Sequence, residues 1–174
     1  MGLSMNSKEL KAIQTPLKEQ YAKCPDDAIV SLNATGTVNI DNLTCRVESD
    51  VSANGQTVSG LHPSAGGDGN FACSGDMLLQ SLVACSGVTF AAVATAMELQ
   101  ISSTTVTAHG TMDFRGTLGV AREVPVGLTS VNLTFDVVSL ESNEKIEKLI
   151  QLTERYCVVL QTMKNSVAVS SCRG

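Results

Sequence analysis

"DMLLQSLVACSGVTF", residues 76 to 90, opens on a carboxylate and then runs without charge around a thiol, Cys85. The uncharged stretch continues from Met77 to Met97, long enough in principle to span a bilayer. Gln80, Ser81, Ser86, Thr89 and Thr95 dilute it, Gly87 interrupts it, and neither end carries a Lys or Arg anchor. A helix that is apolar all round is more simply the buried centre of a domain, so the expectation is a core helix and not a membrane span. Ser74 is expected to cap it, with Asp76 in a first turn where the helix dipole favours an anion.

The flanking patterns set the fold class. Residues 7 to 22 read as a lysine-rich amphipathic helix with Leu10, Ile13, Leu17 and Tyr21 on one stripe. Pro16 is expected to interrupt it, with Thr15 capping a second short helix. Cys24-Pro25-Asp26-Asp27 is a stop signal. Val30, Leu32 and Ala34 alternate with polar residues, and Val38 and Ile40 resume the pattern. After a turn at Asp41-Asn42, Leu43, Cys45 and Val47 alternate with Thr44, Arg46 and Glu48, which predicts a hairpin with one dry and one wet face. Residues 53 to 70 read as loop, with a short strand near Val58.

Beyond the core helix, residues 104 to 118 place Val106, Ala108, Met112 and Phe114 on one strand face. Val131, Leu133, Phe135 and Val137 mark a second strand, joined to the first through "VAREVPVG", residues 120 to 127. A helix starting at Ser142 or Asn143 puts Ile146, Leu149, Ile150 and Thr153 on one face, and Val167 and Val169 predict a last short strand. Strands grouped in pairs imply antiparallel pairing and an α+β class. No internal repeat is visible. The expected division is a helical extension, residues 1–25, followed by one domain, residues 26–174.

Composition narrows the function. The 174 residues carry a net charge of −5 and only 3% aromatics, with no Trp. That argues against a phosphate-backbone or base-stacking partner, so no nucleic acid is expected. Residues 1 to 25 hold Lys8, Lys11, Lys18 and Lys23 and no apolar core of a secretory signal, so a cytoplasmic protein is expected. Thiols stay reduced there, and the six cysteines read as buried small hydrophobes or redox centres, not a disulfide framework. No CxxC spacing occurs, and with only His62 and His109 no zinc site is expected. Gly66, Gly67 and Gly69 lack the GxxxxGK[ST] pattern, so no nucleotide site is assigned.

Cys85 and Cys157 lie 72 positions apart, and nothing in that separation shows that they meet. Composition favours two core thiols. Their surroundings point elsewhere. "GDMLLQSLVACSGVT", residues 75 to 89, followed by "LTERYCVVLQTM", residues 152 to 163, resembles the OsmC/Ohr family of thiol-dependent peroxidases. The pairing of "ACSG" in a central helix with "RYC" some seventy residues on carries the resemblance, which extends from about residue 28 to the C-terminus. It implies an intertwined homodimer with antiparallel sheets wrapped around two central helices. It also implies a two-cysteine cycle acting on organic hydroperoxides, with Cys85 attacking the peroxide, Cys157 closing a disulfide, and an external dithiol as reductant. No bound cofactor or metal is implied. Because the family includes members without peroxidase function, a redox-sensing or hydrophobic-ligand-binding protein is the alternative.

Apolar burial raises a thiol's pKa while the thiolate is the nucleophile, so a cation is expected beside Cys85. The resemblance implies an arginine on an early strand, for which Arg46 is the candidate, with Arg155 in reserve and Arg115 and Arg122 also open. The family's glutamate, ten residues before the first cysteine, is replaced by Gly75. Asp76 stands one position later and is either its substitute or a dipole partner of the helix; Glu48 is another acid that could hold an arginine. His62 reads as a solvated loop residue and His109 as exposed on a strand.

Overall fold

The computed structural model describes residues 5–48, 56–165 and 167–173. The first three residues of the expected 53–70 loop lie outside them. The chain divides into two compact units, one of Met1–Asp27, Ser81–Ala108 and Leu133–Gly174, the other of Ala28–Gln80 and His109–Asn132.

In the first unit, α1 (Ser7–Lys23) begins on a capping box. Asn6 accepts from the Glu9 N–H at 3.0 Å, and the Glu9 carboxylate accepts from the Asn6 N–H at 2.9 Å. The expected break at Pro16 does not occur, and Thr15 caps nothing: the helix is continuous with Pro16 inside it. A proline removes one rung of the ladder, and more than a full turn of helix on either side holds the rest in register. The apolar stripe is there but uncovered, with Ile13, Leu17 and Tyr21 all exposed. Cys24 ends the helix as expected, and Pro25–Ala28 turns as a 3-10 helix.

Helix α2 (Ser74–Ala96) is the predicted central helix, and by length and composition alone it could cross a membrane. Ser74 does not cap it. Ser74 is its first residue, and the Cys73 carbonyl accepts from the Met77 N–H at 3.0 Å. Nor is the helix buried all round. Leu82, Ser86, Phe90 and Ala94, spaced by one turn, are its buried stripe, while Val88 on another face is exposed. Phe90 and Ala94 join Leu149 in the core of this unit, with Val93, Met97, Leu99, Ile101, Phe135, Val137 and Ile150 packed around them. Burying a side chain such as Leu149 or Phe90 stabilises by about 1.5–3 kcal/mol. The rings of Phe90 and Phe135 stack with centroids 5.7 Å apart.

In the second unit, β1 (Thr35–Asn39), β2 (Thr44–Glu48) and β3 (Gln56–Ser59) form an antiparallel sheet with β2 in the centre. Val38 pairs with Cys45 and Thr37 with Arg46. On β2 the expected alternation holds only from Cys45 on, with Cys45 and Val47 half-buried and Arg46 and Glu48 exposed; Thr44 is half-buried, Leu43, Val38 and Ile40 are exposed, and the expected dry face does not extend to them. The alternating residues 30 to 34, however, are not a strand; Val30 and Leu32 are exposed coil. Pairing with β2 begins only at Thr35, opposite Glu48, and alternation without a partner does not make a strand. In the glycine-rich loop, Gly66 sits at φ +92°, and a Cβ at Gly67 would collide with the Leu61 carbonyl oxygen. Those glycines serve the turn after the short 3-10 helix Pro63–Ala65.

Strands β4 (Ile101–Met112) and β5 (Leu128–Ser139) pair with each other, and Val106, Ala108 and Met112, like Val131 to Val137, turn inward at alternate positions. Phe114 leaves the strand, because Asp113 accepts from the Arg115 N–H and starts a one-turn helix, α3 (Phe114–Thr117). Helix α4 (Asn143–Tyr156) begins after Ser142 and buries Leu149 and Thr153, as its periodicity predicts. Helix α5 (Val158–Lys164) follows directly. The last expected strand is not formed; Val167 and Val169 are exposed coil.

Candidate active site

The break between α4 and α5 falls on Cys157, which is at once the last cap of one helix and the first cap of the next. Its backbone is extended, φ −71° and ψ 109°, and its N–H still bonds the Thr153 carbonyl at 2.9 Å. Two β-branched residues follow, Val158 and Val159, which favour interruption over a continued helix. The interruption leaves the Glu154 carbonyl without its helical partner, and the Gln161 side-chain amide donates to it at 2.8 Å. It also creates a new helix start, where the first N–H groups have no partner within their own helix.

Cys85 uses those groups. Burial pushes its thiol up, the largest single influence, but hydrogen bonds overcome it. The Val159 N–H, the Cys157 side chain, the Val158 N–H and the Thr89 hydroxyl all favour the thiolate, and the Cys85 pKa falls below the ordinary thiol value. Each of these donors is uncharged.

Cys85 is half-buried and Cys157 is completely buried. The side chains of Cys85 and Cys157 lie within hydrogen-bonding reach. Cys157 Sγ is also 3.3 Å from Ser86 Oγ, another completely buried atom group. The structure therefore brings together the two distant cysteines within one unit, and adds Thr89, one turn beyond Cys85, and the two valine amides.

Arg46 and Asp76 belong to the other unit, Arg46 exposed on β2 and Asp76 in the first turn of α2. Arg155, in the last turn of α4, lies over the Tyr156 ring at 5.5 Å from its centroid. Arg115 is held by the Asp113 carboxylate at 2.6 Å, and Arg122 and Glu48 are exposed. His62 is more ordered than a solvated loop residue: its Nδ1 accepts from the Ser64 N–H at 3.0 Å and its ring stacks on Phe114. His109 is exposed, as its strand position predicts. A cavity of about 850 Å³ in the first unit is lined by Phe90, Ala94, Glu98 and Gln100 among others, but by neither cysteine. No group of three or more His, Cys, Asp or Glu side chains fit to hold a metal occurs among the described residues.

Proline is tolerated at the first position of a helix, where no intrahelical bond is lost, and it favours an extended residue before it, as Cys157 is. Val158→Pro therefore keeps α5 and deletes one donor to Cys85. The rate of Cys85 alkylation by iodoacetamide, read by mass spectrometry at that residue, falls several-fold at neutral pH. Its pH profile moves upward, because a thiolate that loses a donor gives way to the thiol at a higher pH. An unmoved profile would show that the amides do not govern this sulfur.

The fold has many relatives. An OsmC-like protein from Mycoplasma pneumoniae superposes with a TM-score of 0.62 at 23% identity, covering 78% of this chain and 88% of that one. An organic hydroperoxide resistance protein from Elizabethkingia anophelis gives 0.61 at 18% identity, covering 78% and 89%. The organic hydroperoxide resistance protein OhrB of Bacillus subtilis gives 0.53 at 14%, covering 78% and 91%. No curated protein matches the chain. The family model described as OsmC-like protein matches residues 67–171, which contain α2, both cysteines and the helix break between α4 and α5. This chain belongs to the OsmC-like protein family.

Proposed function

We propose that this protein is a thiol-dependent peroxidase that reduces organic hydroperoxides through Cys85 and Cys157. One observation carries the reading: the half-buried Cys85 side chain and the completely buried Cys157 side chain lie within hydrogen-bonding reach of each other. That asymmetry assigns the roles. Cys85 thiolate attacks the terminal oxygen of ROOH, the O–O bond breaks, and the alkoxide takes a proton from solvent to leave as ROH. Cys85 is then a sulfenic acid. The Cys157 sulfur attacks it, the S–O bond breaks, water leaves and a disulfide remains. An external dithiol reduces that disulfide, so no bound cofactor is needed.

Arg46 enters this proposal, as the resemblance implies, as the guanidinium that keeps Cys85 ionised, and Asp76 as the carboxylate at the start of α2. A homodimer is part of it too: the uncovered stripe of α1 and the exposed uncharged face of α2 are surfaces that a second copy would bury. Organic substrates fit that uncharged helix, and two of the structural relatives are organic hydroperoxide resistance proteins. We place the protein in the cytoplasm, where dithiol reductants are at hand, with residues 1–25 as an extension to the domain of residues 26–174.

The test is to treat reduced protein with one equivalent of cumene hydroperoxide and map disulfides by mass spectrometry. Rapid Cys85–Cys157 bond formation with stoichiometric loss of peroxide, and turnover with dithiol, is the expected result. The replacement of the family glutamate by Gly75 favours a second reading, a redox sensor on the same scaffold. Slow oxidation to the same disulfide without turnover would select it.

A further inference from the structure

Ser86 is a hydroxyl in an apolar position. It lies on the buried stripe of α2 between Leu82 and Phe90 and is completely buried. Burying a hydroxyl costs free energy unless it is hydrogen-bonded, and alanine would fill this helical position with a better propensity. Its partner is the Cys157 sulfur at 3.3 Å. A neutral thiol is a weak acceptor, so the bond does little for a resting protein. A hydrogen bond to a thiolate is roughly twice as strong. The hydroxyl therefore acts selectively on the charged form of Cys157, which is the form that attacks and the form that leaves.

We propose that Ser86 is a positioning residue for the resolving step. Its O–H donates to Cys157 Sγ, which leaves the single S–H of Cys157 free to point at Cys85. As that proton departs, the same donor stabilises the charge on a sulfur that no water reaches. In the forward direction the Cys157 thiolate attacks the Cys85 sulfenic acid and hydroxide leaves, taking a proton to become water. In the reductive direction a dithiol thiolate attacks the half-exposed Cys85 sulfur, the S–S bond breaks, and Cys157 leaves as a thiolate held by Ser86. The thiolate of the dithiol is the reductant in that step, and its second thiol closes on the mixed disulfide to free Cys85.

This rests on the two-cysteine reading, and its test separates the two. In Ser86→Ala, sulfenic acid forms on Cys85 at the wild-type rate with cumene hydroperoxide, while disulfide closure slows by roughly ten- to hundredfold. Sulfenic acid consequently accumulates and is trapped by dimedone. Ser86→Thr, which restores a hydroxyl, recovers most of the closure rate. Independently, a Cys85–Cys157 disulfide made with diamide is reduced by dithiothreitol more slowly in Ser86→Ala than in wild type. Closure and reduction at wild-type rates in Ser86→Ala would overturn the role of Ser86 alone. So would an equal loss in both the peroxide step and the closure step, which would mark a general structural defect. Wild-type protein that does not react with peroxide sinks the peroxidase reading instead, and the diamide arm still decides the role of Ser86.

Discussion

If the proposed cycle operates, Cys85→Ser consumes no organic hydroperoxide, either in a single turnover or in the presence of dithiol. A serine hydroxyl is a weak nucleophile at neutral pH unless a general base activates it. The donors that favour a thiolate do nothing for a neutral hydroxyl. Cys157→Ser behaves differently. It keeps the first step, because Cys85 retains both valine amides and Thr89, and it stops at a sulfenic acid that dimedone captures. The measurement is peroxide loss per protein under one equivalent of cumene hydroperoxide. Undiminished consumption by Cys85→Ser would remove Cys85 from the chemistry. Sustained turnover by Cys157→Ser would mean that another thiol, such as exposed Cys24 or Cys172, resolves the cycle.

Phe90→Ala destabilises the fold by about 3–5 kcal/mol, the range for truncating a buried aromatic side chain. Phe90 is 4% exposed, belongs to the core cluster with Ala94 and Leu149, and stacks on Phe135. Removing the ring loses its transfer free energy and opens a cavity that a helix and a strand on either side cannot close. Urea unfolding at fixed protein concentration shows it as a lower midpoint with an unchanged slope. A loss below about 1 kcal/mol would place Phe90 outside the stabilising core. Because Phe90 lies one turn beyond Ser86 on the same stripe, this variant also separates stability from chemistry: it lowers the midpoint, whereas Ser86→Ala alters a rate.

The legible parts of this fold were those in which a period of two or 3.6 met a partner. Val131 to Val137 and Ile146 to Thr153 face inward as their spacing predicts. Residues 30 to 34, Val167 and Val169 carry the same alternation, but among the described residues nothing pairs with them, and they are coil. Pairing is a property of two segments, and one segment's pattern cannot supply it. At the site, the two cysteines were legible as a motif, though their proximity was not. The amides of Val158 and Val159 were invisible, since a backbone N–H has the same letter wherever it stands. The readable signals were the β-branched pair directly after Cys157, which marks the helix break, and Thr89 one turn beyond Cys85.

Main-chain activation has a consequence for how such a protein tolerates change. Almost any side chain can be exchanged at residues 158 and 159 without touching the groups that hold the Cys85 sulfur, provided the turn survives. Hydrogen bonding to this thiol is thus inherited through the path of the chain, and divergent sequences that keep the cysteine and preserve that bend can share donors that none of their letters record.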